Sequence, residues 1–94
     1  MVVKKSDKQG KKYVAVFTRD NGRIKRSYFG QAGADDYLKT KNKEQRARYR
    51  SRHTKDLNTK DYTRAGYLSW YLLWGNSTSL RANISSYKSK FNLK

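Results

Sequence analysis

Cysteine is absent from this sequence, acids are few and no long apolar run occurs, and each absence removes a class of function. Without cysteine there is neither a disulfide framework nor a cysteine-ligated metal site. A membrane span needs roughly 20 apolar residues, and the richest stretch, Tyr62–Trp74, is far shorter. The opening MVVKKSDKQG starts with charge but carries no apolar h-region, so no signal peptide is expected and an intracellular, reducing setting is. Histidine occurs once, at His53, and Asp and Glu together number seven. A nuclease-type metal centre wants several acids, or a histidine among acids. No Gly-rich phosphate loop leads into Lys-Ser or Lys-Thr. The expectation is therefore no catalysis, no cofactor, no metal and no small-molecule substrate. Asp35 and Asp36 are the one adjacent carboxylate pair, and with no further ligand nearby their expected work is helix capping or an ion pair to the basic run that follows.

What is present is positive charge. Lys and Arg number 23, giving a formal net charge of +16. Such a field favours polyanions: nucleic acid, an anionic membrane surface or an acidic protein face. The 94 residues make one domain with a small core. A 14% aromatic content offsets the low apolar content, because each ring buries a large area.

The organising stretch is Tyr62–Trp74, YTRAGYLSWYLLW, which holds both tryptophans and three of the eight tyrosines. At helical spacing its apolar groups go all the way round, and such a helix must be covered on every side. Asn58 or Asp61 is the expected cap, and Gly75-Asn76 the expected left-handed stop. Upstream, KKYVAVFTR alternates as a strand, and Asn21-Gly22 signals a hairpin with a two-residue loop. That register sets Tyr13, Ala15, Phe17, Ile24 and Tyr28 on the core face; residues 2–6 offer a further short strand. Downstream, Ser77-Thr78-Ser79 precedes Leu80, Ile84, Tyr87 and Phe91, one clean helical face. The fold class is α+β over residues 1–94: an antiparallel β-hairpin (about 11–29) or three-stranded meander, a basic helix (about 41–54) and a C-terminal αα-hairpin (about 62–74 and 78–91).

Residues 39–55, KTKNKEQRARYRSRHTK, hold eight Lys or Arg and one Glu. As a helix this segment docks through Leu38, Tyr49 and His53 only, with Asn42 among them. Lys43, Arg46 and Arg50 fall on one side, and Arg48 and Arg52 almost opposite. Lys41, Lys43, Arg46, Arg48, Arg50, Arg52 and Lys55 are the candidate polyanion contacts. Tyr67, Trp70, Tyr71 and Trp74 are candidates for core packing or for an interface. No zinc finger, RNP sequence or basic-zipper heptad is present, so sequence-specific base readout is not expected.

The strings KYVAVF with its NG turn, SYFGQAGADDY, KNKEQRARYRSRH, AGYLSWYLLWG and LRANISSYKSKFNL occur in that order. Together they resemble a family of short basic proteins of nucleocytoplasmic large DNA viruses, including phycodnaviruses and mimivirus relatives. The similarity runs from about Lys12 to Leu93, although related sequences often carry His-Lys-Asp where this one has Thr40-Lys41-Asn42. The resemblance implies a virion component: a minor capsid protein between or beneath capsid units. Its expected partners are the major capsid protein or other minor capsid proteins, with viral DNA or the anionic inner membrane surface also in reach. The alternative is a non-specific nucleic-acid-binding accessory protein for viral DNA condensation or replication.

Overall fold

The computed structural model describes residues 1–94. Strands β1 (Val2–Lys5), β2 (Lys11–Thr18) and β3 (Ile24–Gln31) form an antiparallel sheet in sequence order. Helices follow: α1 (Tyr37–Thr40), α2 (Lys43–His53), a 3₁₀ segment (Thr54–Thr59), α3 (Ala65–Leu68) running into a π-helical turn (Ser69–Leu73), and α4 (Leu80–Lys90). The α+β class and the three-stranded meander are as the sequence implies.

The hairpin register differs from the two-residue-loop reading by one residue. Thr18 pairs with Ile24 and Phe17 with Lys25, leaving a longer loop. The Arg19 carbonyl accepts from Gly22 at 2.9 Å and the Arg19 amide donates to Arg23 at 2.8 Å. Gly22 alone takes positive φ, at 81°, so this is a turn followed by a left-handed glycine bulge, the common three-residue alternative. A one-residue slip exchanges the faces of one strand relative to its partner. Ser27 and Phe29, buried, therefore join Ala15 and Phe17 on the core side. Tyr28 and Ile24 turn to the outer face, where Ile24 is 54% exposed.

The helices cover the inner face. Asp36 caps α1, accepting from the Lys39 amide at 2.9 Å, and its other oxygen meets Lys12 of β2 at 2.7 Å. Asp35 reaches Lys39 at 3.6 Å. The pair thus does the structural work expected of it. Its buried member ties the sheet-to-helix connection down.

The central helix begins at Ala65, three residues later than its apolar pattern suggests, and neither Asn58 nor Asp61 caps it. Asp61 is occupied one turn earlier, accepting from the amide and hydroxyl of Thr63 at 2.9 and 2.6 Å. That turn pins the helix to the sheet: Ser27 donates to the Thr63 carbonyl at 2.5 Å and Lys25 to the Thr63 hydroxyl at 2.7 Å. At the other end the Trp74 amide bonds the Ser69 carbonyl at 3.0 Å, five residues back. This turn buries Leu72 and Leu73 while leaving Trp70 and Tyr71 partly exposed.

Gly75 is not the left-handed stop that its position suggests, for its φ is not positive. Glycine is required by close approach instead. A Cβ there would lie 2.2 Å from the Tyr71 carbonyl and 2.9 Å from Asn83 Oδ1. Asn83 is 4% exposed and closes the connection to α4: its amide donates to the carbonyls of Leu72 (3.0 Å) and Ser77 (2.8 Å), and its oxygen accepts from Ser77 (3.1 Å). Ser79 caps α4, accepting from Ala82 at 3.2 Å. Leu80, Ile84, Tyr87 and Phe91 pack on the core as their spacing requires. Asn83 meets the end of the central helix, whereas Phe91 stacks on Tyr62 and meets Tyr67 edge-on near its start. The two helices therefore run antiparallel.

Candidate polyanion-binding face and adjoining cleft

Helix α2 begins where the Asn42 side chain accepts from the Gln45 amide at 3.0 Å. Lys41 lies outside it, at the left-handed C-cap of α1 with φ 56°. The helix is held by one aromatic ladder and two arginines. Tyr49 stacks on Trp74 with centroids 4.4 Å apart and planes 8° apart, and His53 continues the stack at 4.1 Å from Tyr49. His53 Nδ1 lies 3.2 Å from Asp56, a local packing role. Burial, then the nearby Asp56 charge, pushes the Tyr49 hydroxyl above its ordinary range.

Arg46 donates to the Gly75 carbonyl at 3.2 Å, and its guanidinium sits 4.9 Å from the Tyr37 ring centre. Arg50 donates to the Trp74 carbonyl at 2.9 Å and to Asn76 Oδ1 at 3.4 Å, and lies 5.5 Å from the Trp70 ring centre. Burial, then the Arg46 charge, holds Arg50 below the usual arginine range. These two arginines occupy the carbonyl-rich end of the central helix, where cations are favoured.

The remaining cations of the segment face solvent. Lys43, Arg48, Arg52 and Lys55 are exposed, as is Lys41 at the corner before the helix. None forms an ion pair; the four ion pairs are Lys12–Asp36, Lys39–Asp35, His53–Asp56 and Arg64–Asp61. Glu44, the acid of α2, sits in the first turn, where it complements the helix dipole. The seven predicted contacts thus divide into five free cations and two structural ones. Helical spacing alone does not give the division: Lys43 falls on the side of Arg46 and Arg50 yet is exposed, and the carbonyls of Gly75 and Trp74 make the difference.

The predicted aromatic group divides too. Tyr67 and Trp74 are core residues at 8% and 6% exposure, and the Tyr67 hydroxyl donates to the Leu57 carbonyl at 2.8 Å. Trp70 and Tyr71 border a cleft of about 220 Å³ between the π-helical turn and α4, with Arg50 and Lys90 also in its lining. Periodicity did not reveal this cleft, because it depends on the π-helical turn. No group of three or more His, Asp or Glu side chains gathers to hold a metal, and no helix is long and apolar enough to cross a membrane.

Residues 1–53 match the model of a family of unknown function (DUF5754). The chain belongs to that family. The matched span comprises the sheet, α1 and all of α2. No curated protein and no solved structure matches the chain significantly.

Proposed function

We propose that this DUF5754 protein is a minor structural component of a large double-stranded DNA virus particle, acting by binding and not by catalysis. Lys41, Lys43, Arg48, Arg52 and Lys55 form its contact face toward polyanionic surfaces: acidic faces of the major or other minor capsid proteins, the packaged genome or the anionic inner membrane. The observation that carries the binding role is the division of α2. Two of its arginines and its aromatic ladder fasten the helix to the fold, so the outward cations stand on a fixed support and none of them is ion-paired to an acid. The virion setting rests on the sequence resemblance.

Fractionation of purified virions by stepwise salt and mild detergent, with mass spectrometry, tests the proposal. Retention in DNA-free shells at fixed stoichiometry supports the capsid role. Absence from the particle overturns it. The second reading, a free nucleic-acid-binding accessory, is favoured by the same unpaired cations and predicts release with the genome. Neutralising about six to ten phosphates loses roughly a thousandfold or more in affinity between 50 and 200 mM salt, whereas a capsid cement held by buried contacts stays bound.

A further inference from the structure

The cleft between the π-helical turn and α4 differs from the α2 face in being concave, and polar side chains line it. No Asp or Glu lines it. Arg50 spends its Nε and one Nη on Trp74 and Asn76, which leaves further N–H groups of its five unassigned. Lys90, also in the lining, lies 5.8 Å from the Tyr71 ring centre and makes no ion pair. The Ser86 hydroxyl and the Asn76 amide complete the rim. Two cations thus line one small cleft, Arg50 over the Trp70 ring and the exposed Lys90 over that of Tyr71. Partial burial of Arg50 strengthens any charge that joins them. π-Helical turns are rare and occur frequently at functional sites.

We propose that this cleft is a seat for a single phosphate group, bridged between Arg50 and Lys90. Size decides the scale of the ligand. About 220 Å³ is below the roughly 300–1,000 Å³ of pockets that enclose a whole small molecule. The seat therefore takes one phosphate, with the rest of its carrier outside. A nucleic-acid backbone phosphate suits this, since Trp70 and Tyr71 at the rim are partly exposed and offer ring surface to a neighbouring base. The proposal deepens the polyanion-binding reading of α2 by adding a fixed site to a diffuse face.

The test is a ¹⁵N–¹H NMR titration of the full chain with inorganic phosphate, chloride holding ionic strength constant. The indole signals of Trp70 and Trp74, assigned with Trp70→Phe, serve as reporters. Trp70 and the Asn76 amide are expected to shift saturably while Trp74 stays still. Lys90→Ala, which removes no structural hydrogen bond, is expected to weaken phosphate binding about tenfold, the loss of one charge-assisted bond. Linear, unsaturable shifts, or identical titrations of Lys90→Ala and the parent, overturn the seat. A single-stranded oligothymidylate is titrated in parallel. If it binds through Arg48 and Arg52 with no effect of Lys90→Ala, a nucleic-acid backbone phosphate as occupant of the seat is overturned and the α2 face stands. Saturable phosphate binding that is weakened by Lys90→Ala, with no oligonucleotide binding, supports a seat for free phosphate or a mononucleotide. It also removes nucleic acid as partner of the α2 face.

Discussion

Tyr49 and Trp74 lie face to face, with ring centroids 4.4 Å apart and planes only 8° from parallel. This stack joins the basic helix to the end of the aromatic core, linking two segments 25 residues apart, and Arg46 and Arg50 bracket it with bonds to backbone carbonyls. A helix carrying this much charge has little apolar surface of its own, so its docking depends on these few groups.

Truncating the stack should release α2. Tyr49→Ala is expected to cost about 3 kcal/mol, the lower end for aromatic truncations because Tyr49 is only partly buried. Tyr49→Phe keeps the ring and should cost about 1 kcal/mol or less. Thermal melts followed by circular dichroism measure both. Equal losses for the two variants would mean that the hydroxyl, and not the stack, holds the helix.

The two classes of arginine should separate cleanly. Arg46→Ala or Arg50→Ala removes bonds from a charged donor and should cost about 1.5–3 kcal/mol each, or roughly 4–8 °C per kcal/mol in a chain of this size. Arg48→Ala and Arg52→Ala should stay within about 0.5 kcal/mol of the parent. If duplex DNA is bound, each of these outward variants should lower the slope of log affinity against log salt by about 0.9. Melting curves and salt-dependent binding isotherms read the two effects. Loss of stability in Arg48→Ala without loss of binding would reverse the assignment.

The sequence made the class, the strand and helix order and the stripe of α4 legible, because each rests on local periodicity or capping. Ser79 and Asp36 cap where their spacing implies. What it hid was set by tertiary competition. Asn21-Gly22 signals a hairpin but not its loop length, and the one-residue difference moved Phe29 inward and Tyr28 outward. Asp61 is a good cap by type, yet Thr63 claims its oxygen. The polyanion face was found as a set of charges; which of them were free depended on the carbonyls at Trp74 and Gly75.

Two glycines should respond differently to the same substitution. Gly22→Ala meets no neighbour but must hold a φ of 81°, a strain of about 1–2 kcal/mol. Gly75→Ala has no φ problem but drives its methyl to 2.2 Å from the Tyr71 carbonyl and 2.9 Å from Asn83. Overpacking of this kind costs about 3 kcal/mol or more, and the shift should reach the Asn83 bonds that close the connection to α4. Denaturant melts should rank Gly75→Ala well below Gly22→Ala. The reverse order would mean that the connection yields easily.

Alkaline stability should depend on Tyr87. Its side chain is 1% exposed, and its hydroxyl donates to the Tyr62 carbonyl. Burial, reinforced by the other tyrosines and Asp61 around it, pushes its pKa well above the ordinary value. In the unfolded chain Tyr87 ionises near pH 10, at about 10, while the folded chain keeps it neutral. Above that point the unfolded state binds fewer protons, so stability is intact below about pH 10 and falls as pH rises further. Tyr49 acts in the same direction. Lysines losing charge near about pH 10.4 act in the opposite one, by relieving self-repulsion. Tyr87→Phe separates these effects, because it removes one titration and leaves every lysine in place. It should be about 1 kcal/mol less stable than the parent at neutral pH, from the lost bond. The difference should shrink and then change sign as pH climbs beyond about 10. A gap that stays constant across that range in pH-dependent melts would mean that Tyr87 ionises as readily in the folded chain as in the unfolded one.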